Sequence, residues 1–170
     1  MKKIVLIFGL IIGVILCANM IVMVNLMYTK TDFKGNEIVG YASMVVLFSL
    51  IFFGVRNYRN KHLAGTISFG KAFKVGFLIA LIASTMYVVV WLFYFYLFVP
   101  DFMDVYMAYV LEQCAPADVA AKTAEMEGYK EMYKNPLFVI LITYSEVLPV
   151  GLVVALISAL ILKKKQPAKI

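Results

Sequence analysis

Four apolar runs, residues 4–27, 38–55, 72–99 and 136–162, constrain this chain more than anything else in it. About twenty consecutive apolar residues, rising about 1.5 Å each, cross the roughly 30 Å hydrocarbon core of a bilayer as an α-helix. The composition agrees. Of 170 residues 64% are apolar, and the mean hydropathy is +0.90. Soluble domains are about 45–50% apolar, so the excess here has to face lipid. The expected fold class is therefore all-α: a polytopic membrane protein of four transmembrane helices. Four spans with short connections leave no room for a second globular domain, so residues 1–170 read as one membrane domain with the bilayer as its first partner.

Charge fixes the orientation. The stretch 56–74, RNYRNKHLAGTISFGKAFK, holds five of the sixteen Lys and Arg residues and no acid. Lys2 and Lys3 precede the first run, and Lys163, Lys164, Lys165 and Lys169 follow the last. Cations beside spans resist export, which predicts cytoplasmic N and C termini. Residues 101–135 carry seven acids against three lysines, the opposite bias, and read as the outer segment. The net charge of +6 does not point to nucleic acid, because it sits beside the spans and no reading motif accompanies it. The first run is not a signal peptide on this reading. It is longer than the usual 7–15-residue core, and Leu16 is too large for a cleavage site or a lipoprotein motif before Cys17.

The connections follow. Gly35-Asn36 supplies a turn after the first span. The third run ends in aromatics over residues 91–98, read as an outer interfacial belt, with an aromatic-lined ligand site as the sharper alternative. Pro100 stops it. Two amphipathic helices are expected over 101–135. Pro116 starts the second with Asp118 in its first turn, and the pairs Asp118–Lys122 and Glu127–Lys130 run along it. Asn135-Pro136 opens the fourth span. Cys17 lies inside a span and Cys114 outside any, so the two are not expected to pair.

Small residues recur every fourth position: Gly9, Gly13 and Cys17; Gly76, Ala80 and Ser84; Gly151, Ala155 and Ala159. Each set makes a ridge that lets helix backbones approach closely. Two uses are open, packing inside one bundle and a homo-oligomer interface.

One acid, Glu146, falls within an apolar span. An ionisable residue there is costly and is a functional-site candidate by default. Counted from the outer end of the fourth run it lies about 15 Å deep. Pro149, three residues on, cannot donate to the Ser145 carbonyl, which predicts a kink. Asn19, Ser43, Ser84, Thr85 and Tyr87 fall at a similar depth. The candidate intramembrane polar site is thus Glu146, Pro149, Asn19 and Tyr87. A proton- or cation-responsive site in a small transporter and a neutral, hydrogen-bonded carboxyl are its two readings.

Signs of enzymatic chemistry are nearly absent. His62 is the one histidine and has no thiol or acid near it in sequence. No zinc-ligand spacing occurs, and residues 68–71, Ser-Phe-Gly-Lys, hold only a fragment of a phosphate loop. No catalytic, cofactor-binding or metal-binding residue is assigned. Phe69 and Phe73 lie one turn apart, with Lys71 and Lys74 among them. That spacing makes an amphipathic lead-in to the third span, and these four residues are the candidate cytoplasmic interface, for head groups or an unknown protein partner.

The run Gly-Thr-Ile-Ser-Phe-Gly-Lys-Ala-Phe-Lys-Val-Gly of residues 65–76 resembles the bacterial four-span family catalogued as domain of unknown function four-one-nine-nine, common in Bacteroidetes. The likeness extends to Gly-Tyr-Ala-Ser-Met at 40–44, to the segment 126–136 and to Glu-Val-Leu-Pro-Val-Gly at 146–151. It implies an inner-membrane protein and carries no activity and no site residues with it. The resulting expectation is a non-enzymatic membrane protein acting by helix packing or partner contacts, with a small transporter or channel subunit using Glu146 as the alternative.

Overall fold

The computed structural model describes residues 1–29 and 37–164. The turn expected at Gly35-Asn36, and Lys165 and Lys169, lie outside the described residues. Seven helices are described: α1 (Lys2–Thr29), α2 (Glu37–Phe48), α3 (Leu50–His62), α4 (Phe69–Phe98), α5 (Phe102–Glu112), α6 (Val119–Met132) and α7 (Pro136–Leu162). Four segments are long and apolar enough to cross a membrane: Lys2–Thr29, Val39–His62, Phe69–Phe98 and Pro136–Leu162.

The second of these joins α2 to α3 through one turn residue. Ser49 keeps near-helical angles (φ −57°, ψ −22°). Its amide reaches both Val45 O (3.0 Å) and Val46 O (3.2 Å), and its hydroxyl donates to Val46 O at 2.5 Å. The hydroxyl competes with the backbone ladder, and the helix tightens there without stopping. It then runs to His62, past the boundary at Val55 expected from hydropathy. Tyr58 explains the extension: its ring is buried, so the helix continues until that face is covered.

The chain divides into two compact units. The first, residues 1–87 and 144–170, holds one continuous core in which Ile12, Phe48, Ile51, Val55, Val75, Ile79 and Val147 are fully buried. Lipid supplies no hydrophobic force between helices, so close backbone approach has to hold such a bundle. The small-residue ridges do this inside the chain. A Cβ added at Gly151 would stand 2.9 Å from Ala80 Cβ, and one at Gly76 would stand 2.9 Å from Ala155 Cβ. Gly9 faces Ile82, and Gly13 faces Met86. Of the two uses open to the ridges, these glycines serve packing within one chain.

The second unit is residues 88–143. The aromatic end of α4 is its core and not simply a belt. Trp91 and Phe95 are buried. Phe102 meets Trp91 edge-on at 4.9 Å, and Tyr133 meets Phe95 at 5.3 Å. Edge-to-face geometry sets the positive rim of one ring against the negative face of another. Met103 from α5 and Met126 from α6 are buried as well. Tyr96 donates its hydroxyl to Tyr133 O at 3.0 Å. α6 starts at Val119, just after Asp118, not at Pro116. Lys130 reaches across to Asp104 of α5 and not along its own helix to Glu127, so this ion pair fastens two helices. Lys122 pairs with Glu125 at 2.9 Å.

Candidate functional site

The first unit presents two polar levels, one at the basic end of its spans and one partway along them. The basic end gathers the start of α1, the end of α3, the start of α4 and the end of α7. Ile4, Tyr58, Ile67, Ala72 and Leu162 share its core. The connection between α3 and α4 staples these elements together. Its backbone turns through two left-handed residues, Ala64 (φ +48°) and Gly65 (φ +81°). Only glycine adopts such angles without a Cβ clash, so Ala64 is the strained member. The turn delivers Ile67, 3% exposed, into the core. Ile67 and Lys164 then exchange both backbone hydrogen bonds, Ile67 N to Lys164 O at 3.1 Å and Lys164 N to Ile67 O at 2.9 Å. Arg59 donates through Nη1 to Leu162 O at 3.2 Å. A cation on the last carbonyls of α7 satisfies one orphan acceptor and sits well against the negative end of the helix. Ser68 begins α4: its carbonyl takes the Ala72 amide at 2.9 Å, and its hydroxyl lies 3.4 Å from the Lys71 amide.

The candidate interface residues fall on the first turns of α4. Phe69, Phe73 and Phe77 form a ladder with centroids 6.2 and 6.4 Å apart, the first two rings nearly parallel at 9°. Lys71 and Lys74 are exposed. Sequence reasoning singled out these four residues but missed Arg59, Ala64 and Ile67, which build the end of the bundle. The left-handed pair had a visible signal in Gly65; the contacts of Arg59 and Ile67 with residues about a hundred positions away had none.

The other level carries hydroxyls and amides. Asn19 Nδ2 donates to Ser43 Oγ at 3.3 Å, and Ser43 donates to Gly40 O at 2.7 Å. A shallow apolar groove of about 560 Å³ lies beside this pair between α1 and α2, lined by Ile15, Ala18, Val39, Val46 and others. Tyr144 donates to Thr85 Oγ1 at 2.8 Å, and Thr85 to Leu81 O at 2.7 Å. Neither bond includes Glu146. Tyr87 packs against the bundle core. Glu146 and Pro149 stand on an exposed face of α7, and the helix is continuous through Pro149. The structure therefore joins Asn19 to Ser43, and Thr85 to Tyr144, while Glu146 stands on an exposed face of α7. Counted from Leu162, the basic end of α7, Glu146 lies about 24 Å along the helix. Counted from Pro136, the other end, it lies about 15 Å along. Ser84 is fully buried, and its Oγ has no hydrogen-bond partner among the described residues.

Among the described residues no group of three or more His, Cys, Asp or Glu side chains could hold a metal ion. Cys17 and Cys114 are both free thiols. A family model described as "Protein of unknown function (DUF4199)" matches residues 7–164. No curated protein and no solved structure matches the chain.

Proposed function

We propose, for a chain that belongs to the DUF4199 family, a non-enzymatic role at the bacterial inner membrane in which the four-span bundle holds the helical segment between α4 and α7 for contact with a partner outside the cytoplasm. The observation that carries this reading is the second unit. Packed helices need only about 2–8 residues to connect them. Here α4 and α7 are joined through residues 99–135, folded into α5 and α6 over a buried aromatic core. Structure of that kind is more than a connection requires. Its surface is mainly acidic, with Asp101, Asp104, Glu112, Asp118, Glu125, Glu127 and Glu131 all exposed. The cations beside the spans favour cytoplasmic termini, and on this reading the acidic segment, of opposite bias, is the outer one.

The transporter reading rests on Glu146, and its placement weakens that reading. Glu146 stands on an exposed face of α7 and not among the fully buried side chains between the spans. A conduction path inside one bundle would need the carboxyl to face that interior.

Both points are open to experiment. In intact cells Cys114 reacts with a membrane-impermeant maleimide, while Cys17, buried in α1, does not; protection of Cys114 until the cells are lysed overturns the orientation. In a strain with a deletion phenotype, replacing residues 101–135 by a short Gly-Ser linker abolishes complementation and Glu146→Gln does not. The reverse pattern refutes the reading and restores the transporter.

A further inference from the structure

The first turns of α4 carry a feature that bundle packing leaves unexplained. Gly70 is a helical glycine, and glycine weakens a helix. Its φ is not positive, and a Cβ added to it would meet nothing within 4 Å. Neither backbone conformation nor close packing requires it. The other glycine of the same helix, Gly76, is closely covered by Ala155 and Ile51.

What surrounds Gly70 gives it a use. At 100° per residue, the Phe69–Phe73–Phe77 ladder, Gly70, Lys74 and Lys71 follow one another around the helix. Gly70, Lys74 and Lys71 lie away from buried Ala72, Ile79 and Ala83, while the phenylalanines border the buried face, Phe73 packing against the bundle core and Phe69 left exposed. The result is a shallow seat with rings on one side and two exposed ammonium groups on the other, at the end of a membrane-spanning helix. The surrounding end of the bundle adds Lys61, Lys163 and Lys164, all exposed, and no Asp or Glu among the described residues there.

We propose that this face of α4 seats an anionic phospholipid: its phosphate over Gly70, bonded by Lys71 and Lys74, and an acyl chain along Phe73 and Phe77. Charge complementarity selects the anion, since clustered cations without acids attract anionic head groups. The phenylalanines select a lipid over an acidic protein. Phe69 is 37% exposed beside the lysines, at the level where acyl chains meet head groups. Glycine at position 70 lets the phosphate approach the helix backbone. The proposal needs only that α4 crosses the membrane and does not depend on the role given to α5 and α6.

The test uses the full chain in bilayers of phosphatidylcholine, with electron spin resonance of spin-labelled phosphatidylglycerol and spin-labelled phosphatidylcholine to measure their relative association. The wild-type chain prefers phosphatidylglycerol. A lysine near an anionic head group is worth about fivefold in association, so K71Q/K74Q loses roughly 25-fold of that preference. Gly70→Leu fills the seat without changing charge and loses several-fold. K163Q/K164Q removes the same charge nearby and loses much less. No preference in the wild-type chain overturns the proposal. Equal losses in the two double-lysine variants with no effect of Gly70→Leu also overturn it, because that pattern is a diffuse field and not a site. A photo-crosslinking phenylalanine analogue at Phe69 gives adducts of lipid mass in cells; adducts of protein mass refute lipid as the occupant. Helicity measured by circular dichroism confirms that each variant is folded.

Discussion

Substituting Gly151 tests whether close approach of α4 and α7 holds the bundle. A Cβ placed there would lie 2.9 Å from Ala80 Cβ and 2.9 Å from Phe48 Cε1. Ordinary carbon–carbon contact begins near 3.5 Å. The Phe48 ring can turn, but Ala80 Cβ is fixed to its backbone, so Gly151→Ala has to push the two helices apart by about half an ångström at that level. Overpacking of this kind costs about 1–3 kcal/mol. The alanine returns up to about 1 kcal/mol through better helix propensity. The net expectation is a destabilisation of about 1–2 kcal/mol. Gly40→Ala is the matched control: it too lies within a spanning segment, but its Cβ meets nothing within 4 Å, so it stabilises by about 0.5–1 kcal/mol. Steric-trap unfolding in bicelles measures both. Ala80→Gly, added to Gly151→Ala, recovers part of the loss, and Phe48 limits the recovery. The reasoning fails if Gly151→Ala and Gly40→Ala have the same effect, or if Ala80→Gly is no less costly in the Gly151→Ala background than alone.

Ala64→Gly relieves the left-handed strain at φ +48° and raises stability by about 1 kcal/mol in the same assay; a loss would show that the Ala64 methyl makes contacts that outweigh the strain. The Tyr144–Thr85 hydrogen bond couples α7 to α4. A double-mutant cycle of Tyr144→Phe and Thr85→Val yields a coupling of about 0.6 kcal/mol, the average for such bonds in membrane proteins. A coupling indistinguishable from zero would remove that bond from the forces holding the two helices. Gly128 stands in the open on α6, so Gly128→Ala leaves the aromatic core of its unit unchanged and slows amide exchange in α6 by roughly twofold to fivefold, from about 0.5–1 kcal/mol of added helix stability. Unchanged or faster exchange there would count against it.

The sequence by itself determined what composition and length can determine. Runs of apolar residues too long for a soluble core made four spanning helices unavoidable, and Pro100 and Pro136 marked where helices stop and start. The pair of helices between the third and fourth spans and the four-residue spacing of the small ridges were legible as well, because local periodicity encodes which side chains share a face. Partnership was not legible. Whether Gly76 meets Ala155 or a second chain depends on how the spans are ordered around one another, and apolar sequence carries almost no record of that order. The same holds for Lys130, which met Asp104 on another helix when its own helix offered Glu127. Glu146 shows the limit most clearly. Its presence in an apolar run announced a costly residue, and its distance from either end of that run could be counted, but the face of α7 that carries it came only from the packing of that helix. That rotation leaves the carboxyl on an exposed face. Charge announced a basic end. Only the assembled bundle distinguished Arg59, used internally as a helix cap, from Lys71 and Lys74, which stay exposed beside a glycine that packing leaves uncovered.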